Sequence, residues 1–270
     1  MANASETIAR ARISLAADAR ACWRAITDPE ALATWYAERV EGELREGTQV
    51  RVSWESLGQA LSLEVVAARP FRLLRLEAKL PGRPPQRQEL TIRALDRGCE
   101  VSIEHSGFRA GVGGDDERAG TEAGWRAALA MLSLAVEQYP GRRRYARAAL
   151  ATANAPPNAA YRQLARVFSV PDLAGPGAHC QVSLGTRELD GEVLVAVPRY
   201  MTLVALPAID GALALRAFPV GAAQAPKAAI LTAQIWSFGT SPAAAEEVLP
   251  ALEASLQKVV VSSGGPTAEA

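Results

Sequence analysis

Hydrophobic and polar side chains alternate along the run Val101–Phe108, which is followed about 20 residues later by a stretch with helical spacing. His105 lies on the apolar face of the alternating run, as expected for a half-buried strand. The helical stripe has apolar side chains four, three and four residues apart. It consists of Trp125, Leu129, Leu132 and Val136. The pattern therefore predicts a strand followed by one long helix.

Earlier runs alternate in the same way and are separated by turn residues such as Pro81-Gly82. The predicted strands are Ile8–Ser14, Gln49–Trp54, Ala60–Val65, Phe71–Leu80 and Gln88–Ala94. Two helices are predicted between the first two strands, one beginning at Asp18 and a short one capped by Asp28. Consecutive short strands indicate an antiparallel sheet, and the long helix can cover its concave face. We predict an α+β, helix-grip fold.

The second half repeats this order of elements in weaker form. A strand at Tyr145–Ala151 and a helix at Ala159–Phe168 precede five further runs, and a terminal helix follows Ser241-Pro242. We predict two tandem copies of one fold, residues 1–140 and 141–262. The remaining residues, 263–270, are small and polar and are predicted to form a disordered tail.

Two motifs resemble one known family. The first is V-x-I-x-H-x-G-F in Val101–Phe108, followed by an acidic segment and by G-W-x-x-x-L-x-x-L from Gly124. The second is W-x-A-I-T-D-P-E-A-L-A-T-W-Y, in Trp23–Tyr36. The chain resembles homologues of the activator of the 90-kDa heat-shock-protein ATPase, within the START and birch-pollen-allergen (SRPBCC) superfamily. This resemblance implies a hydrophobic pocket between the sheet and the long helix.

The composition is informative in its balance of positive and negative residues. The 270 residues include 29 Lys plus Arg and 29 Asp plus Glu, so no overall field attracts nucleic acid or an anionic membrane. Residues 1–140 carry 38 of these charges and residues 141–270 carry 20. Because apolar surface in a small domain often meets a partner, we expect the second copy to pack against the first or to form a homodimer.

The remaining sequence features exclude several kinds of site. The three cysteines lack Cys-x-x-Cys spacing and only two histidines are present, so we expect buried, reduced thiols and no structural metal. Gly111–Gly114 precedes acidic residues that would repel phosphate and is predicted to be a loop. With no leader segment or membrane span recognised, we predict a cytoplasmic protein with no cofactor.

Strand parity selects the candidate site residues. These side chains are predicted to face the long helix and either to line an apolar cavity or to fill it. They are Trp54, Leu63, Leu76, Ile92, His105, Trp125 and Leu129. His105 is the one polar member, and it either contacts a ligand or braces the sheet. General acid or base catalysis would need a second positioned group, which the sequence does not identify.

Three functions from different classes are compatible with these observations. We rank first the non-catalytic binding of a small hydrophobic molecule in the cavity between sheet and helix. A cochaperone-like module, with a chaperone as its partner, ranks second and follows from the family resemblance. A cavity enzyme of the cyclase or aromatase type, with His105 as its polar group, ranks third.

Overall fold

The computed structural model of the protein describes residues 8–109, 111–171, 173–198, 200–220 and 227–262. The predicted tail, residues 263–270, lies outside these ranges. The chain divides between Arg142 and Arg143 into two compact units. The sequence prediction had placed this boundary after residue 140.

The first unit contains seven strands and three α-helices among its described residues. Its elements are β1 (Ala9–Leu15), α1 (Ala19–Thr27), α2 (Pro29–Leu32), β2 (Arg39–Glu41), β3 (Gln49–Trp54), β4 (Gln59–Arg69), β5 (Leu73–Ala78), β6 (Gln86–Ala94), β7 (Cys99–Ser106) and α3 (Val112–Ser133). A π-helical turn, Leu134–Gln138, extends α3. All strands pair antiparallel in the order β1-β7-β6-β5-β4-β3-β2.

The predicted caps of the two early helices are confirmed. The carboxylate of Asp18 accepts a hydrogen bond from the Ala21 amide at 2.7 Å, and that of Asp28 accepts one from the Ala31 amide at 3.0 Å. Each carboxylate thereby satisfies an amide of the first helical turn. Pro29, whose fixed φ angle suits the first turn, begins α2 directly after Asp28.

The two faces of the first sheet differ as the alternation predicts. The face turned away from the helices carries ion pairs between neighbouring strands, such as Arg75 with Glu89 at 2.6 Å and Arg93 with Glu100 at 3.1 Å. The opposite face carries the apolar side chains, and α1 and α3 pack over it. This face holds the core of the unit.

One prediction about the start of the long helix is wrong. Gly111–Gly114 is not a loop, because α3 begins at Val112, well before the stripe that starts at Trp125. A Cβ on Gly114 would lie 1.7 Å from the Arg109 carbonyl oxygen. A glycine here therefore permits close backbone approach within a helix, and it does not mark a loop. The three-residue strand β2 was also missed.

The second unit has six strands and two α-helices in its described part. Its elements are β8 (Arg143–Ala153), α4 (Pro157–Val167), β9 (His179–Leu184), β10 (Arg187–Val197), β11 (Met201–Leu206), β12 (Gly211–Pro219), β13 (Ala229–Gly239) and α5 (Ala243–Ser262). The sheet order is β8-β13-β12-β11-β10-β9, again antiparallel. Apart from α2 and β2, for which the described residues of this unit show no counterpart, this is the order of the first unit.

An irregularity in strand pairing supports the correspondence between the units. The register of β4 and β5 shifts between Val65 and Ala67, and that of β10 and β11 shifts between Val193 and Val195. In both units the bulge therefore falls at the same point of the meander. The predicted α+β helix-grip fold in two tandem copies is confirmed. In the described part of the chain, no helix is long and apolar enough to cross a membrane.

Candidate functional site

A row of paired residues crosses the inner face of the first sheet. Leu76 on β5 pairs with Gln88 on β6, Gln88 pairs with His105 on β7, and His105 pairs with Ala9 on β1. Gln88 is 3% exposed and His105 is 6% exposed. Because residues paired across an antiparallel sheet point to the same face, these two polar side chains lie side by side on an inner face that is mostly apolar.

His105 has one satisfied nitrogen and one unsatisfied nitrogen. The indole Nε1–H of Trp125 donates to its Nδ1 at 3.0 Å. A neutral imidazole whose Nδ1 accepts must carry its proton on Nε2. That Nε2 is buried, and none of the described residues provides it with a hydrogen-bond partner. Burial lowers the pKa of His105 from 6.5 to about 4, so the ring is neutral at pH 7.

Tyr36 covers this row from the turn after α2. Its ring stacks on that of Trp125, with centroids 5.3 Å apart and an interplanar angle of 4°. Its hydroxyl donates to the Gln88 side-chain oxygen at 3.0 Å. Burial raises the pKa of the Tyr36 hydroxyl well above its usual value. The phenol is therefore a neutral donor that holds the Gln88 amide in place.

Two further tryptophans fix the backbone around Tyr36. The Trp54 indole donates to the Tyr36 carbonyl at 2.8 Å, and the Trp35 indole donates to the Ala25 carbonyl at 2.8 Å. The Trp54 ring also meets the Tyr36 ring edge to face, with centroids 5.4 Å apart. Each buried indole N–H has an acceptor, so the aromatic cluster is internally satisfied. His105 Nε2 is the exception beside it.

The space enclosed by this cluster is small. Its volume is about 10 Å³, roughly the room that one water molecule needs. It is lined by Ile26, Leu32, Trp35, Tyr36, Leu74, Leu76, Gln88, Leu90 and Trp125. The side chains at this place therefore mostly fill the interior.

The seven predicted site residues fall into two groups. Trp54, Leu63, Leu76, Ile92 and His105 all lie on the inner face of the sheet by register. Trp125 and Leu129 are buried on α3. Leu76 and Trp125 line the small space, and His105 bonds to Trp125. Their role in ligand binding stays a prediction.

Gln88 and Tyr36 are the site residues that the prediction missed. Gln88 has the same strand parity as Ile92, so alternation could have found it, but a polar residue in a predicted core is easily assigned to the opposite face. Tyr36 lies in a turn between α2 and β2, where no periodicity operates. Only the tertiary structure brings its ring onto Trp125.

Among the described residues, no group of three or more His, Cys, Asp or Glu side chains is placed to hold a metal ion. The polar groups at the site are one imidazole, one phenol and one amide. This set can donate and accept hydrogen bonds to a neutral ligand.

A comparison with known protein families gives a match within the first unit. Residues 16–137 match the family model described as "Activator of Hsp90 ATPase homolog 1-like protein". No curated protein matches the chain.

Several solved structures are similar to the chain. The di-domain ARO/CYC BexL from the BE-7585A biosynthetic pathway is 12% identical, with a TM-score of 0.44 over 96% of this chain and 99% of that one. DynU16, a protein of the dynemicin biosynthetic locus, is 18% identical, with a TM-score of 0.45 over 94% and 96%. The Aha1 dimer from Colwellia psychrerythraea is 17% identical, with a TM-score of 0.43 over 48% of this chain and 96% of that chain.

Both sequence motifs lie inside the matched residues. The structure places Trp23–Tyr36 on α1, α2 and the following turn, and Val101–Phe108 on β7 and just beyond it. The motifs thus supply the aromatic cluster and the histidine of the candidate site. Over residues 16–137 the first unit is therefore similar to the proteins of the Activator of Hsp90 ATPase homolog 1-like family.

Proposed function

We propose that the first unit binds a small, largely apolar molecule with one hydrogen-bond acceptor, without converting it chemically. One observation carries the proposal: the buried Nε2–H of His105 lacks an acceptor among the described residues. An unpaired buried donor costs about 1–3 kcal/mol. A ligand that brings an acceptor to this nitrogen recovers that free energy as part of its binding.

The size of the interior space determines how such a ligand would enter. A volume of about 10 Å³ does not admit an organic molecule, so binding requires aromatic side chains to move. Tyr36 is the ring best suited to move, because it lies in a turn and, among the described residues, its hydroxyl makes a hydrogen bond to Gln88 alone. The proposal is therefore binding with rearrangement of a closed resting state.

The ionisation of the site supports binding rather than turnover of the cyclase or aromatase type. A general acid or base works best with a pKa near the operating pH. Burial instead lowers the pKa of His105 to about 4 and raises that of Tyr36. Both groups are therefore neutral at pH 7 and suited to hydrogen bonding.

Two measurements test the proposal. A native mass spectrum of the purified protein should show a retained small molecule whose mass is lost on denaturation. In titrations with the fluorescent probe 1-anilinonaphthalene-8-sulfonate, His105→Ala should weaken binding roughly tenfold, or about 1.4 kcal/mol. Ile235→Val in the second unit is the matched control and should leave binding unchanged. Equal affinities of all three proteins would make His105 a bracing residue and overturn the proposal.

The family match favours a second candidate, a cochaperone-like interaction module. The model that matches residues 16–137 takes its description from activators of the Hsp90 ATPase. This function predicts that the purified protein raises the ATPase rate of a 90-kDa heat-shock protein. An unchanged rate together with a retained ligand would favour the first function.

A further inference from the structure

Two thiols of the first unit face each other in its core. The Sγ atoms of Cys22 and Cys99 lie 3.0 Å apart, closer than two sulfur atoms in ordinary van der Waals contact, and both residues are 0% exposed. Cys22 lies on α1 and Cys99 is the first residue of β7. The thiols are thus 77 residues apart in sequence but are neighbours in space.

Both thiols are held in position by the backbone around them. Asp18 caps α1 one turn before Cys22, and Cys99 pairs with Leu15 on one side and with Ala94 on the other. Gly98 packs so closely that a Cβ there would lie 1.8 Å from the Leu15 carbonyl oxygen. Neither sulfur can therefore move far from the other without local opening of the fold.

We infer that Cys22 and Cys99 form a reversible disulfide that fastens α1 to the start of β7. A disulfide S–S bond is about 2.05 Å long, so the sulfur atoms need to approach by about 1 Å. The product is neutral and apolar and suits the core. Burial raises the pKa of both thiols, so thiolate is scarce and the reaction is slow.

The reaction balances with a hydroperoxide as the oxidant. One thiolate attacks hydrogen peroxide, the O–O bond breaks, and a sulfenic acid and water form. The second sulfur then attacks this sulfenic sulfur, the S–S bond forms, and a second water leaves. Each sulfur loses one electron to the peroxide. A dithiol reductant reverses the change by exchange.

Peptide mapping tests the link in the full-length protein. After treatment with hydrogen peroxide, alkylation under denaturing conditions should label one cysteine instead of three. Trypsin should release Ala21–Arg24 joined to Gly98–Arg109, 2 Da lighter than the two separate peptides and separable with dithiothreitol. The Cys180→Ala variant should still form the link, because Cys180 lies on β9 of the second unit and is not one of the two facing thiols. Three labelled cysteines, or oxidation of Cys99 to the sulfinic acid without a link, would overturn the inference.

Thermal unfolding tests whether the link fastens the two elements. Closing a loop of this length restricts the unfolded chain, so the oxidised protein should melt about 5–10 °C higher than the reduced protein. The Cys22→Ala variant, treated in the same way, should show no rise. An oxidised protein that carries the link and melts no higher would contradict the fastening role.

Discussion

The same row of residues crosses the inner face of both sheets, and the two rows differ in chemistry. Counted from the bulge, the first unit has Val65, Leu76, Gln88 and His105. The second unit has Val193, Val204, Leu213 and Ile235. All four residues of the second row are buried in an apolar cluster. Two substitutions within one backbone frame therefore separate a plain core from a candidate site.

The helices that cover the two rows also differ in polarity. In the first unit α3 brings an indole N–H to His105, and in the second unit α5 presents Val248, Leu252 and Leu256. The buried phenol of the second unit, Tyr161, shares a hydrogen bond with Thr202. Only in the first of these rows does a buried nitrogen lack a partner among the described residues. The proposed function therefore depends on a few side chains of the first unit and not on the fold that both units share.

The largest expected effect is the loss of the indole from the first unit. Trp125→Ala should lower the free energy of unfolding by about 3–5 kcal/mol, because the interior is filled and cannot collapse around the gap. Chemical denaturation in urea measures this value. Trp125→Phe, which keeps an aromatic ring but loses the N–H and part of the indole volume, is the comparison variant and should cost less. A loss below about 1 kcal/mol for the alanine variant would mean that the aromatic cluster contributes little.

The second effect is a pH dependence that belongs to His105. In the unfolded chain its pKa is 6.5 and in the folded protein it is about 4, so the unfolded state binds the proton first as the pH falls. The part of the free energy of unfolding that depends on His105 is fully present above pH 6.5, and it falls by about 3 kcal/mol as the pH decreases to 4.

His105→Leu should flatten this part of the stability curve, measured by urea unfolding at several pH values. His179, which is exposed, provides the control, since His179→Gln should leave the curve unchanged. Identical curves for His105→Leu and the wild type would show that another group causes the dependence.

Moving the histidine into the second row gives a smaller effect. Ile235→His would bury an imidazole among aliphatic side chains with no indole donor, so it should cost about 2–3 kcal/mol in the free energy of unfolding. Ile235→Val, which removes one methyl group, should cost about 0.5–1.5 kcal/mol. If both variants were equally stable, the second row would tolerate polar groups and the contrast between the rows would fail.

The smallest effect concerns the hydrogen bond between Tyr36 and Gln88. Tyr36→Phe and Gln88→Leu, which copies Leu213 of the second row, should each cost about 1 kcal/mol. The double variant should cost less than the sum, because each single change already removes the same bond. Additive losses in urea unfolding would show that the bond contributes nothing measurable.

Much of the fold could be predicted from alternation, helical spacing and caps. Strand β3 begins and ends where the pattern places it, and Asp18 and Asp28 cap the helices that they were predicted to begin. These signals are local, since each depends on residues a few positions apart. The start of α3 was missed because Gly111 and Gly114 are also typical of loops, and only the approach of Arg109 explains Gly114.

The sequence by itself determined the order of elements, the repeat and the face on which His105 lies, because side-chain direction in a strand follows from parity alone. Only the tertiary structure decided that Tyr36 stacks on Trp125, that Gln88 lies beside His105, and that Cys22 meets Cys99. The contacts of Tyr36 and of the two thiols join residues that are 52 to 89 positions apart in the chain. Gln88 and His105 become neighbours only once the register between β6 and β7 is set. No local pattern encodes such distances, because they arise when the sheet curves and the helices close over it.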